Sequence, residues 1–145
     1  MESMGSEVKV GDIMNRDVIS IEANAPVTEV ARLMKKHEVG SVVVSKAKKA
    51  EGIITEKDMV YKVVAVGADA SKITAEEIMS KPLKVVTPET SVEEAARAMK
   101  QYNLKRFPVV SDTNELVGMI SEGDITRVLP SIIDLIEEKA EAGFQ

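Results

Sequence analysis

The sequence predicts a mixed α/β fold, of α+β type, built from two copies of one β-α-β-β-α unit. Three observations predict it. The 145-residue chain repeats itself at a spacing of 65 residues. Each copy carries apolar residues at the spacing of a single helix face. Each copy then carries two β-branched runs separated by a polar turn.

The repeat comes first because the other two observations are read against it. Gly11-Asp12-Ile13-Met14 is answered by Glu76-Glu77-Ile78-Met79. The same spacing carries Val27 to Val92, Ala31 to Ala96, Arg32 to Arg97, Met34 to Met99, Lys35 to Lys100 and Val44 to Val109. One residue is gained in a polar turn. After it Gly52-Ile53-Ile54-Thr55-Glu56-Lys57-Asp58 stands against Gly118-Met119-Ile120-Ser121-Glu122-Gly123-Asp124. The first copy occupies residues 9–68 and the second 69–131. Residues 1–8 read as a flexible tail.

Within each copy a short apolar stretch, Val18 to Ile21 or Lys84 to Thr87, reads as a strand. A helix follows. Ser91 and Glu94 have the spacing of a capping box, and Pro26 stands where a first-turn proline is tolerated. Val27, Val30, Ala31 and Met34 share one helix face, as do Val92, Ala95, Ala96 and Met99. Ser41 to Val44 with Gly52 to Thr55, and Phe107 to Val110 with Leu116 to Ser121, read as pairs of strands. A last helix begins near Glu56 or Glu122. Val66 to Ser71 is the linker. Residues 132–145 read as a C-terminal helix and tail; the amphipathic pattern runs from Ser131 to Ala142, with Ile132, Ile133, Leu135 and Ile136 on it.

Composition narrows the function classes. Hydrophobic residues make up 44% of the chain and aromatic residues 3%, with no Trp, so the core must be aliphatic. The eight methionines read as adaptable core filler. A net charge of −5 argues against nucleic acid as a partner. The absence of Cys excludes disulfides and thiolate chemistry. His37 is the one histidine and lacks co-ligands, so no metal site is expected. The Lys46-Ala47-Lys48-Lys49 cluster reads as a solvated turn. No run of 18 apolar residues and no signal-type N-terminus is present, which leads to the expectation of a cytoplasmic protein with no membrane partner.

The residues with chemistry to offer are Thr55-Glu56-Lys57-Asp58 and Ser121-Glu122-Gly123-Asp124. Each falls where a strand ends and a helix starts. Free N–H groups and the helix dipole favour phosphate there, and a hydroxyl adds a donor. A carboxylate at the same place can accept from both hydroxyls of a ribose. The plainer reading is that both are ordinary helix caps.

The ordered set resembles paired CBS domains, a Bateman module. It comprises Ile-Met near each start, a strand, a proline-associated helix, the Phe107-Pro108-Val109-Val110 strand, and Gly-h-h-Thr/Ser-x-x-Asp before the last helix. The resemblance covers roughly residues 10 to 131. It implies a pseudo-twofold module with two clefts between the repeats, pairing into flat homodimers, with AMP, ADP, ATP or S-adenosylmethionine held in the clefts. On that pattern Ser121 and Asp124 would face an adenine slot made by Ile19, Ser20 and Ile21 with Ser41 and Val42. Thr55 and Asp58 would face a slot made by Val85, Val86 and Thr87 with Arg106 and Phe107. Inside it the doubled Thr/Ser-x-x-Asp motif favours ligand contact over simple capping.

The copies differ where phosphate would lie. Lys105-Arg106 precede Phe107-Pro108, while the first copy has Gly40-Ser41. Lys57 precedes Asp58, while Gly123 precedes Asp124, and Arg127 lies one turn into the last helix. A guanidinium suits phosphate bidentately and a lysine adds a point charge. Two unequal clefts follow. The leading expectation is a non-catalytic, energy-sensing adenine-nucleotide module that needs no cofactor, forms a homodimer and signals to an effector protein. The alternatives are an S-adenosylmethionine sensor and a scaffold or dimerisation protein with no small ligand. An enzyme is the weakest reading, because Asp58 and Asp124 have no evident nucleophile or base beside them.

Overall fold

The computed structural model describes residues 8–81 and 84–129. The expected C-terminal helix and tail, and nearly all of the expected N-terminal tail, lie outside these. The elements in chain order are α1 (Val10–Ile13), β1 (Ser20–Glu22), α2 (Val27–His37), β2 (Ser41–Lys46), β3 (Lys49–Thr55) and α3 (Glu56–Met59). A π-helical segment (Val60–Val64) continues α3, followed by α4 (Ala75–Ile78), α5 (Val92–Tyr102), β4 (Arg106–Val110), β5 (Leu116–Ser121) and α6 (Glu122–Val128).

The chain forms two compact units, and they do not coincide with the two sequence repeats. One unit is Val18–Lys84 with Asn114–Leu116; the other combines the stretch ending at Asp17, Val85–Thr113 and the stretch from Val117 onward. Each unit therefore takes its opening Ile-Met helix from the other repeat.

The β1–β3 unit is organised on a three-stranded sheet. β1 runs parallel to β2, with Ser20 opposite Val43, and β2 runs antiparallel to β3, with Val42 opposite Ile54. The β2–β3 turn is tight, with Ala47 and Lys48 both at positive φ, 51° and 68°. Those values suit the primed turns whose twist matches a hairpin. Val27, Val30, Val42, Val44, Ile54, Val63, Ala75, Ile78 and Met79 make the core. Ala31, expected on the buried face of α2, is exposed, and Leu33 packs against the core instead. A single methyl group leaves little apolar surface in water, so the cost of that exposure is small.

The β4–β5 unit repeats the plan with one strand reduced. Val86 pairs in parallel with Val109, the counterpart of Ile21 beside Val44, but the pairing extends no further. The expected Lys84 to Thr87 strand is thus a single bridge. Thr87 is drawn into a turn in which its N–H donates to Thr90 Oγ1 (3.1 Å) and its carbonyl accepts from Thr90 N–H (3.1 Å). Val10, Met14, Val92, Ala95, Ala96, Met99, Phe107, Val109, Ile120 and Ile125 fill the core. The Ser91 hydroxyl caps α5 by accepting from Glu94 N–H at 3.1 Å, one half of the expected capping box.

The exchanged helices are held in the same way in both units. Ser80 and Ile53 exchange backbone hydrogen bonds (2.8 and 3.3 Å), and Asn15 and Met119 do the same (both 2.9 Å). The strand position between them and the turn is a glycine in each case. A Cβ on Gly52 would lie 2.7 Å from Met79 Sδ, and one on Gly118 would lie 2.6 Å from Met14 Sδ and 3.1 Å from the Asn15 carbonyl. The Met of one repeat therefore seats on the glycine of the other. Gly118→Ala is expected to cost about 1–3 kcal/mol through overpacking. Urea unfolding should show a lower midpoint, and Met14→Ala in the same chain should recover part of the loss.

Candidate functional site

The two strand-to-helix junctions are built alike. Asp58 N–H donates to Thr55 Oγ1 (3.2 Å) and Thr55 N–H donates back to Asp58 Oδ2 (2.9 Å). Asp124 N–H donates to Ser121 Oγ (3.1 Å) and Ser121 N–H donates to Asp124 Oδ2 (3.0 Å). Both are reciprocal caps, which satisfy helix-start donors by local geometry. The first helical N–H of each junction is also satisfied, Glu56 N–H by the Gly40 carbonyl (3.1 Å) and Glu122 N–H by the Lys105 carbonyl (2.8 Å). Among the described residues this leaves the Lys57 and Gly123 N–H groups as the open donors of the first three. The row of free donors expected for phosphate is therefore much shorter than the sequence suggests.

The carboxylates differ. Asp58 is 7% exposed. Its Oδ1 takes Ser80 Oγ–H (3.0 Å) and the Lys62 ammonium (3.0 Å), while Oδ2 takes Thr55 N–H and the Thr55 hydroxyl (3.1 Å). Lys62 also donates to the Ile78 carbonyl at 2.9 Å. Burial pushes the Asp58 pKa up, but the hydrogen bonds from Thr55 N–H, Lys62 and Ser80, with the Lys62 charge, outweigh it and hold the carboxyl below its ordinary value. Asp124 has a side chain 18% exposed, and its Oδ1 meets only Arg127 Nη2, at 3.3 Å, among the described residues.

The remaining expected site residues divide between the units. In the β1–β3 unit Ser20 is exposed, Ile21 half-buried, and Ser41 and Val42 buried, with Val42 in the core. In the β4–β5 unit Val86, Thr87 and Arg106 are half-buried and Lys105 is exposed. Phe107 is a core side chain, and buried Pro108 accepts Val86 N–H on its carbonyl at 3.1 Å. Val42 and Phe107 can thus offer a ligand only their backbone. Lys57 lies over the Tyr61 ring at 5.4 Å from its centre, a cation–π contact. Arg127 is committed to Asp124. Two cations expected near phosphate are therefore engaged within their own helices.

Sequence reasoning missed Lys62 and Ser80. The signals were present: Lys62 stands four residues beyond Asp58 in a helical stretch, and Ser80 directly follows the second Ile-Met. It also missed an open depression of about 500 Å³ in the β4–β5 unit, lined by Met14, Arg16, Pro88, Glu89, Ser111, Asp112 and Val117. Among the described residues no group of three or more His, Asp and Glu could hold a metal ion. No described helix is long and apolar enough to cross a membrane.

Comparison with known proteins places the chain. The CBS-domain family model matches residues 10–65 and 75–131. The chain belongs to the CBS-domain family. It is 38% identical over 133 residues to an uncharacterized protein of Methanopyrus kandleri, covering 91% of this chain and 68% of that one. Its fold is similar to the crystal structure of Hypoxic Response Protein I with two coordinated zinc ions (TM-score 0.78, 31% identity, 85% of this chain and 100% of that one). It is also similar to the CBS domain pair of protein MJ0100 in complex with 5′-methylthioadenosine and S-adenosyl-L-methionine (TM-score 0.74, 30% identity, 86% and 97%). The doubled motif and the mixed α+β fold read from the sequence are those of this family. CBS pairs are generally regulatory modules, and the match brings no catalytic family with it.

Asp58 makes one measurable demand on stability. Its folded pKa is lowered, so its contribution is complete above the unfolded value near 4 and is lost as pH falls through the folded value. Asp58→Asn is expected to cost about 2 kcal/mol at neutral pH, given a buried carboxylate with four donors. Thermal unfolding from pH 7 down to pH 3 should show the gap between variant and parent narrowing in acid.

Proposed function

We propose that the chain is a regulatory sensor for an adenine nucleotide. AMP, ADP or ATP would bind at a strand-to-helix junction, with a junction carboxylate on the ribose and phosphate at the Lys105-Arg106 pair, whose Lys105 carbonyl already holds the first N–H of the Asp124 junction. The observation that carries this reading is the doubled Thr/Ser-x-x-Asp junction. At Asp124, among the described residues, Oδ1 meets only the Arg127 guanidinium, and the hydroxyl of Ser121, which accepts from Asp124 N–H, would give its proton to a ligand. Backbone groups at Ser20, Ile21, Ser41, Val42, Val86, Thr87, Phe107 and Pro108 (the last a carbonyl alone) would read the adenine. Thr55, Lys57, Asp58 and Arg127 are the further polar groups of the two junctions. The chain would act in the cytoplasm as a homodimer, and an effector protein would read the bound state. A ligand shifts such a module only by binding one state better than the other.

A second reading has its own support. The MJ0100 pair was crystallised with S-adenosyl-L-methionine and 5′-methylthioadenosine, which share adenosine with the nucleotides but carry no phosphate. The short row of free N–H groups at the junctions is compatible with such a ligand.

Calorimetry on ligand-stripped protein with AMP, ADP, ATP and S-adenosylmethionine separates the readings. Nucleotide sensing predicts heat from at least one nucleotide. It also predicts that Arg106→Ala weakens AMP by about tenfold, one charge-assisted phosphate contact, with little change for adenosine. Binding of S-adenosylmethionine alone would favour the second reading, and no heat from any of the four would leave a scaffold.

A further inference from the structure

The two repeats carry the same cap and differ in what stands around its carboxylate. In the first repeat Asp58 is held from outside the cap by two groups. The Lys62 ammonium lies 3.0 Å from Oδ1, and the Ser80 hydroxyl lies 3.0 Å from Oδ1 and 3.2 Å from Oδ2. Lys62 is itself fixed by the Ile78 carbonyl at 2.9 Å. The second repeat lacks both groups. The position matching Lys62 is Val128, an exposed apolar side chain. The position matching Ser80 is Asn15, whose Oδ1 accepts Asp17 N–H at 2.9 Å. Asp124 keeps the cap and, among the described residues, gains only the long contact to Arg127.

We infer that Lys62 and Ser80 form an internal lock that fills the acceptor capacity of Asp58, so that Asp124 alone is open to the hydroxyls of a ribose. This rests on the proposed adenosine-type ligand and adds its stoichiometry. A carboxylate offers about four lone-pair sites. Asp58 spends them on Thr55 N–H, the Thr55 hydroxyl, Ser80 and Lys62. An incoming diol would have to displace a charged donor already held in place, at the expense of a charge-assisted bond. At Asp124, among the described residues, it would displace one guanidinium nitrogen at 3.3 Å, on a side chain 74% exposed. The lock is not inherent in the motif, because neither of its residues belongs to the Thr/Ser-x-x-Asp set. It distinguishes two junctions that the repeat makes otherwise alike.

Two measurements test it. Carboxyl footprinting with a water-soluble carbodiimide and glycine ethyl ester, read by mass spectrometry without any ligand, should label Asp124 and spare Asp58. In Lys62→Met/Ser80→Ala, Asp58 should become labelled. Equal labelling of both carboxylates in the parent protein would overturn the lock. Calorimetry with AMP and with S-adenosylmethionine should give one equivalent per chain, removed by Asp124→Ala, and a second equivalent in Lys62→Met/Ser80→Ala. Two equal equivalents in the parent protein would overturn the inference, as would one equivalent that survives Asp124→Ala. The reciprocal change keeps the test open if the first variant folds poorly. Asn15→Ser/Val128→Lys, the latter at an exposed position, should shield Asp124 from labelling and weaken binding by about tenfold, the loss of one charge-assisted contact. Unchanged labelling and affinity there would count against the lock. If neither probe binds the parent protein, the adenosine reading fails, and the labelling decides the lock by itself.

Discussion

The structure depends on a contact between a methionine and an absent side chain. Met14 Sδ lies 2.6 Å from where a Cβ of Gly118 would be, and Met79 Sδ 2.7 Å from where a Cβ of Gly52 would be. Beside each contact a pair of backbone hydrogen bonds, Asn15 with Met119 and Ser80 with Ile53, ties the segment after the Ile-Met helix to a strand of the other repeat. A four-residue helix cannot hold itself together in water. It persists because its own apolar side chains, Val10 in one case and Ile78 in the other, are buried in the core, and the methionine that follows it seats on a strand glycine. The flexible thioether is suited to that gap. The exchange follows: neither repeat can complete its core from its own residues, so each unit is made of parts of both.

The strand that carries this glycine ends three residues later in the candidate site. Gly52 leads through Ile53 and Ile54 to Thr55, and Gly118 through Met119 and Ile120 to Ser121. The buried Ile54 and Ile120 fix the strand ends in the core, and the capping boxes then fix the carboxylates. Packing and function are therefore one construction. The same Asp that closes the helix start is the acceptor a ribose would need, and how much of it remains available depends on neighbours that capping does not require. In the β1–β3 unit the exchanged segment itself supplies one of them, since Ser80 directly follows Met79. The helix exchange thus reaches the chemistry of Asp58 through a single hydroxyl.

Much of this was legible in the residues. The repeat spacing located every strand-to-helix junction, because a gain of one residue in a turn leaves a pattern on both sides that still aligns. The caps were legible because a hydroxyl three residues before a carboxylate satisfies its own local geometry. The Val86 bridge was over-read as a strand: β-branched residues at Val85 and Val86 suggest one, but Thr87 and Thr90 close a turn that stops the pairing. Ala31 was over-read as buried because helical spacing gives a face and not its width. The phosphate capacity of the helix starts was over-read for a related reason. The carbonyls of Gly40 and Lys105 come from the preceding strand boundary, and no spacing rule announces that they will take the first N–H.

The sequence by itself determined the repeat, the family, the two long helices with the strand pairs that follow them, and the place of the two cap carboxylates, because these rest on local periodicity and on contacts within four residues. Only the tertiary structure decided which repeat completes which core and which carboxylate is engaged. Both depend on residues far apart in the chain, Met79 with Gly52 and Ser80 with Asp58, that meet when the exchanged helix is buried. Local patterning sets what each segment can offer, and long-range packing sets what that offer meets.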